Sequence, residues 1–217
     1  MTELQAVRWG PTVEKARQLV VLCHGVGADG QDLIDLAPHW ATSLPDAAFV
    51  APDGPEPCNM APSGRQWFSL LDRAPAVMAS EVKRASPVLD AFIDAELVRL
   101  GLPATAYALM GFSQGAMMVL YNGLRRTAPP RAILAYSGAL VSPDLLAAEH
   151  KNAAPVLLVH GEADNVVEIA RSYAADRALR AAGIPTKTRY IQGLGHGIDP
   201  SGLEAGAVFL KDAFGAM

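Results

Sequence analysis

Leu109-Met110-Gly111-Phe112-Ser113-Gln114-Gly115-Ala116 decides how this chain is read. It spells Gly-x-Ser-x-Gly between an apolar run of strand length, Ala106 to Leu109, and a segment whose apolar residues recur at helical spacing: Ala116, Met117, Val119, Leu120 and Leu124. A strand that turns straight into a helix through this motif makes a nucleophile elbow, which holds a serine in a strained, exposed conformation. Gly111 and Gly115 flank the turn because a Cβ at either place would collide with the neighbouring strand or helix. The expected chemistry is acyl transfer to Ser113. A serine hydroxyl is a poor nucleophile without a base. An acid and then a histidine are therefore expected further on, each after a later strand.

The rest of the chain suits such an enzyme. It has 217 residues, 51% hydrophobic and 18% charged, which fits one globular domain over 1–217 with a sizeable core and argues against disorder. The net charge is −4 and no Lys/Arg cluster stands out, so no nucleic-acid partner is expected. No window approaches the roughly 18–20 apolar residues of a spanning helix. Met1 to Pro11 lacks the basic and apolar regions of a signal peptide. These features predict a cytoplasmic protein without stable membrane insertion. Cys23 and Cys58 are the only cysteines; Cys23 lies in an apolar run and reads as a reduced, buried thiol. With no Cys-x-x-Cys and no His-Glu-x-x-His, no metal site is expected.

Strand-like and helix-like segments alternate. Strands are expected at 18–23, 47–51, 106–109, 132–136, 156–159 and 187–191. Helices are expected over 32–40, 77–100, the segment after the elbow, 167–182 and 201–214. Pro87 is expected to start or kink the second of these. Gly183 reads as a left-handed cap of the helix before it. A Pro/Gly-rich loop runs from Pro52 to about Leu71, a candidate short lid. This alternation implies a mostly parallel sheet covered by helices on both faces.

In such sheets reactive groups gather at the carboxyl ends of strands. The strand at 156–159 runs into His160-Gly161-Glu162-Ala163-Asp164-Asn165, and the last strand into Gly193-Leu194-Gly195-His196-Gly197. The expected triad is Ser113, Asp164 and His196, with His196 as base and Asp164 fixing its tautomer. Plainer readings exist for each partner. Asp164 is also placed to be a helix N-cap, and His196 to be a surface residue. Glu162 is the rival acid. His24 and His160, each before a glycine at a strand end, read as scaffold that bonds loop backbone. The oxyanion hole needs two backbone N–H groups. Gln114 and Val26, the latter in His24-Gly25-Val26-Gly27, are the expected donors, both through main chain.

One motif competes. Gly25-Val26-Gly27-Ala28-Asp29-Gly30 is formally Gly-x-Gly-x-x-Gly, with Asp53 about 20 residues on where a dinucleotide fold carries its ribose-binding acid. A nucleotide-binding oxidoreductase using Gly25, Gly27 and Gly30 is the alternative. Asp29 counts against it, since it puts negative charge where the pyrophosphate would approach a helix N-terminus.

Leu22-Cys23-His24-Gly25-Val26-Gly27, Trp67-Phe68, Gly111-Phe112-Ser113-Gln114-Gly115-Ala116, the segment from His160 to Val167 and Gly195-His196-Gly197-Ile198 together resemble the phospholipase/carboxylesterase family of small α/β-hydrolases. The resemblance spans roughly 18–214. It implies an α/β-hydrolase fold without a large cap domain and no cofactor. The implied reaction is hydrolysis of short-chain esters, acyl thioesters or lysophospholipids by Ser113, Asp164 and His196, with Val26 and Gln114 as oxyanion donors. It also implies a possible homodimer. The loop from Glu56 to Gln66 matches no particular subgroup. An acyl pocket beside the serine is expected to use Trp67, Phe68, Leu70 and Leu71, with Leu140 and Val141 as further walls. The plainer reading of Trp67 and Phe68 is that they pack the loop onto the body. A serine peptidase or acyltransferase on the same triad is the nearest alternative activity.

Overall fold

Successive side chains of a strand point to opposite faces of its sheet, and here both faces are apolar. Leu19, Val21 and Cys23 enter one core, while Val20 and Leu22 enter another. A strand buried on both sides has to lie inside a sheet with helices on each face. The computed structural model, which describes residues 4–215, shows this arrangement.

The chain begins with β1 (Ala6–Trp9) and β2 (Gln18–Cys23), followed by α1 (Gly30–Ile34), α2 (Ala37–Ala41) and β3 (Ala47–Pro52). A two-stranded hairpin, β4 (Glu56–Pro57) with β5 (Arg65–Gln66), leads to α3 (Pro75–Leu100). Then come β6 (Tyr107–Phe112), α4 (Gln114–Gly123), β7 (Ile133–Tyr136), α5 (Leu146–Glu149), β8 (Val156–Gly161), α6 (Ile169–Ala181), β9 (Thr186–Ile191) and α7 (Pro200–Gly215). The main sheet has the order β1-β3-β2-β6-β7-β8-β9. Every pairing is parallel except that of β1 with β3. Residues of α3, α4 and α6 fill one core; those of α1, α2 and α7 fill the other.

The order of strands fixes the place of the site. From β2 the chain moves one way to β3, then returns across to β6 on the other side of β2. The loops leaving β2 and β6 therefore diverge, and the crevice at such a switch point is where open α/β sheets bind ligands. Those loops carry Gly25-Val26-Gly27 and Ser113.

Most expected elements are found within a residue or two. The helix expected over 32–40 is two short helices instead, broken at Asp35-Leu36. Pro38 lies in the first turn of α2 and has no N–H to return to Ile34, so one continuous helix cannot run through it. Leu33, Ala37 and Trp40 still face the core. Pro87 neither starts nor ends a helix. It sits on the exposed side inside α3, whose 26 residues begin at Pro75. An interior proline costs roughly 3 kcal/mol. Burial of Val82, Leu89, Phe92, Ile93 and Leu97, each worth about 1.5–3 kcal/mol, offsets it. Gly183 adopts φ +75°, as the cap reading requires.

Candidate active site

Ser113 follows β6 directly, with φ 54° and ψ −113°, a conformation that L-residues avoid. The surroundings hold it there. Its N–H donates to Tyr136 O at 2.9 Å, tying the elbow to β7. A Cβ on Gly111 would lie 2.3 Å from the Gly115 backbone, and one on Gly115 would lie 1.8 Å from Cys23 O. Both glycines are thus set by close backbone approach: α4 starts against the end of β2, with the serine on the turn between.

Three strand ends converge on the serine. His196 Nε2 lies 3.0 Å from Ser113 Oγ, and His196 Nδ1 lies 2.8 Å from Asp164 Oδ2. The carboxylate can only accept, so Nδ1 carries the proton and Nε2 is free to accept from the hydroxyl. Asp164 Oδ1 accepts from the N–H groups of Val166 and Val167, each at 2.9 Å. Burial pushes the Asp164 carboxyl up, but the bonds from His196, Val167 and Val166 outweigh it and hold the group ionised below the usual carboxylate range.

Asp164 caps its own turn and not a helix, because α6 begins only at Ile169 after an N-cap at Glu168. Glu162 is exposed, and the residue bonded to His196 is Asp164. Asp199, immediately before α7, is engaged by Gly202 N–H at 2.7 Å and by the Ser201 hydroxyl. The loops that carry Asp164 and His196 are joined to each other: Ala163 N–H donates to Leu194 O at 2.9 Å. A Cβ on Gly161 would meet Leu194 O at 2.2 Å. By contrast, Gly195 and Gly197 have open space where a Cβ would stand. The Phe112 ring packs on His196 with centroids 4.9 Å apart, a contact the sequence did not signal.

The loop after β2 meets the elbow closely. A Cβ on Gly25 would lie 3.4 Å from Ser113 Cβ. Gln114 is the first residue of α4, so its N–H has no intrahelical acceptor. Val26, half-buried, lies in the turn that follows β2.

A buried polar network sets both loops. The Trp67 indole N–H donates to His24 O at 2.9 Å, and the Trp67 backbone N–H donates to Gln114 Oε1 at 2.9 Å. Gln114 Nε2 donates to Phe68 O at 2.7 Å. Gly27 N–H donates to Arg65 O at 2.8 Å, and Arg65 N–H to Ala28 O at 2.9 Å. The segment 65–68 thus grips the loop after β2 with one end and the elbow with the other. This also pins the stretch read as a lid: a Cβ on Gly64 would lie 2.2 Å from Gly27 O. His24 accepts from Gly54 N–H through Nε2 at 2.8 Å and donates from Nδ1 to Gly25 O at 2.7 Å. Burial lowers its pKa, consistent with the neutral form these bonds need.

The expected pocket walls need correction. Trp67 and Phe68 are 1% and 0% exposed and offer no surface to a substrate; they support the site from behind. Leu70, Leu140 and Val141 also belong to the core on that face, and only Leu71, at 73%, reaches solvent. Gln114 likewise does more than its main chain, because its side chain satisfies two buried backbone groups. Each such group left unpaired costs about 1–3 kcal/mol. Gln114→Met is therefore expected to destabilise the fold by about 2–5 kcal/mol. Denaturant unfolding checks this; an unchanged midpoint would remove the structural role.

The nucleotide alternative finds no room at α1. Asp29 Oδ1 accepts Gln31 N–H and Asp53 Oδ1 accepts Gly30 N–H, each at 2.9 Å. Two carboxylates already stand where a pyrophosphate would need to be.

The sequence pattern of the phospholipase/carboxylesterase family matches residues 10–213. The chain belongs to that family. This phospholipase/carboxylesterase is similar to Esterase YpfH of Escherichia coli K12, with 34% identity over 189 residues covering 85% of this chain and 78% of that one. It is also similar to acyl-protein thioesterase 1 of Gibberella zeae, at 24% over 218 residues covering 93% and 92%. Among solved structures, esterase PE8 superposes with a TM-score of 0.92 at 41% identity, covering 98% of this chain and 100% of that one. Membership makes the phospholipase/carboxylesterase chain a hydrolase of the α/β-hydrolase fold. Among the described residues, no helix is long and apolar enough to cross a membrane.

Proposed function

We propose that the protein is a serine hydrolase that cleaves carboxylic esters of short to medium acyl chains through an acyl-enzyme on Ser113, with acyl thioesters and lysophospholipids as further substrates. The carrying observation is His196, whose two nitrogens reach Ser113 Oγ at 3.0 Å and Asp164 Oδ2 at 2.8 Å. The Ser113 proton passes to His196 Nε2 as Oγ bonds the substrate carbonyl carbon. Negative charge develops on the former carbonyl oxygen, where the Val26 and Gln114 N–H groups receive it. The tetrahedral species collapses, the C–O bond to the leaving alcohol breaks, and His196 returns the proton to that alcohol. Water then repeats the sequence on the acyl-enzyme, releasing the acid and free Ser113. No step needs a metal or cofactor.

The acyl chain leaves the serine toward Leu71 in this reading, and the buried Leu70, Leu140 and Val141 shape the layer behind. The two cysteines are unpaired, which fits work in the reducing cytoplasm. Turnover of p-nitrophenyl acetate, butyrate, octanoate and palmitate, beside acyl-coenzyme A thioesters, tests the proposal. Acetate and butyrate are expected to be cleaved with a higher kcat/KM than palmitate. A preference for palmitate would overturn the chain-length reading. Acyl transfer to added alcohol in preference to water would replace hydrolase by acyltransferase.

A further inference from the structure

We infer that His160 is a positioning residue for the catalytic acid. The inference rests on the Ser113–His196–Asp164 reading and goes beyond it. His160 lies in β8, four residues before Asp164, and its side chain is 1% exposed. Its Nε2 is 2.7 Å from Val167 O and 3.2 Å from Asp164 Oδ2. Neither oxygen has a proton to give, so Nε2 carries the hydrogen. One N–H therefore holds the turn after Asp164 through Val167 O, with Oδ2 as its secondary acceptor.

Asp164 Oδ1 is filled by Val166 and Val167 N–H, and Oδ2 faces His196 Nδ1 and His160 Nε2. Three hydrogen bonds and the 3.2 Å contact from His160 Nε2 surround the carboxylate and resist its rotation. Val167 contributes twice: its N–H binds Oδ1 and its carbonyl receives His160. His160 thus locks the turn that aims Asp164 at His196. It also draws charge from Oδ2 that would otherwise act on the imidazole. Burial keeps His160 neutral by lowering its pKa, and the titrating groups facing it are Asp164 and His196.

A pair of substitutions separates this role from plain packing. In His160→Gln the amide nitrogen reaches about as far as Nε2, so the donor is kept. In His160→Asn the amide is too short to reach either oxygen. The expected result for His160→Asn is a fall in kcat on the order of 10²-fold with KM little changed, since small misplacements of catalytic groups cost that much. The acid limb of its kcat/KM profile moves to higher pH, because Oδ2 loses a donor that competes with His196. His160→Gln recovers most of the rate and the original limb. A tautomer measurement on the unaltered protein, by nitrogen-15 correlation of the histidine rings, stands apart from any variant's folding. It is expected to show His160 neutral with its proton on Nε2 at about pH 8, above the ordinary histidine titration. A proton on Nδ1, or folded His160→Asn with an unshifted limb and an unchanged rate, overturns the inference. Fluorophosphonate labelling of Ser113 in the same samples distinguishes the failures. Labelling with a wrong His160 tautomer refutes only the positioning role, whereas an unlabelled Ser113 refutes the triad reading beneath it.

Discussion

Replacing Ser113 by alanine is expected to lower kcat by on the order of 10⁶-fold while the protein stays folded. The hydroxyl is the only atom lost, and it is the one that bonds the substrate carbon in the proposed reaction. The strained turn does not depend on it, because the close contacts of Gly111 and Gly115 and the Ser113 N–H bond to Tyr136 O hold the backbone. Residual rate enhancement is not zero, since the proposed oxyanion donors, Val26 and Gln114, remain, and such donors account for about 10³–10⁴ over water in comparable sites. Steady-state turnover of p-nitrophenyl butyrate, with a thermal melt as the folding control, measures this. Retention of even a tenth of the rate would mean that another group attacks the ester.

Asp164→Asn is the second large effect, expected at about 10⁴-fold in kcat. The loss comes from a tautomer and not from geometry. An asparagine oxygen still accepts from Val166 and Val167 N–H, so the turn survives. Its NH2 then faces His196 Nδ1 and His160 Nε2, placing donors against donors. His196 escapes by moving its proton to Nε2, where it can no longer accept from Ser113. Glu162→Gln is the matched control. Glu162 is exposed, and its neutralisation is expected to change kcat less than threefold, as surface changes away from the chemistry do. Equal damage from the two substitutions would move the acid to Glu162.

The residues that face each other across the site were legible in the sequence because each lies in the loop that leaves the carboxyl end of a strand. Ser113, Asp164 and His196 lie at most five residues beyond β6, β8 and β9; apolar runs announce β6 and β8, whereas β9, Thr186–Ile191, mixes polar and apolar residues. The doubly covered sheet was legible because its inner strands, β3, β2, β6, β7 and β8, are apolar without alternation. What was missed depends on contacts distant in the chain or on segments too short to carry a pattern. β1 is an edge strand of four residues, and β4 and β5 have two each. The bond between Gln114 and the Trp67 backbone joins residues 47 apart, and no local pattern encodes it. Trp67 and Phe68 illustrate the limit most plainly: an aromatic pair near a site reads alike whether it touches the ligand or braces the loop behind it. Their burial decides for the brace. His160 was legible as scaffold, and its bond to Val167 O agrees, but its 3.2 Å approach to Asp164 appears only once the turn has closed.

The most direct measurement is fluorophosphonate labelling of the folded protein, located by peptide mass spectrometry while ester turnover is followed in the same sample. The account predicts one adduct per chain, on the peptide carrying Ser113, with turnover lost in proportion to labelling. An unlabelled protein, or an adduct on any other serine, would contradict it.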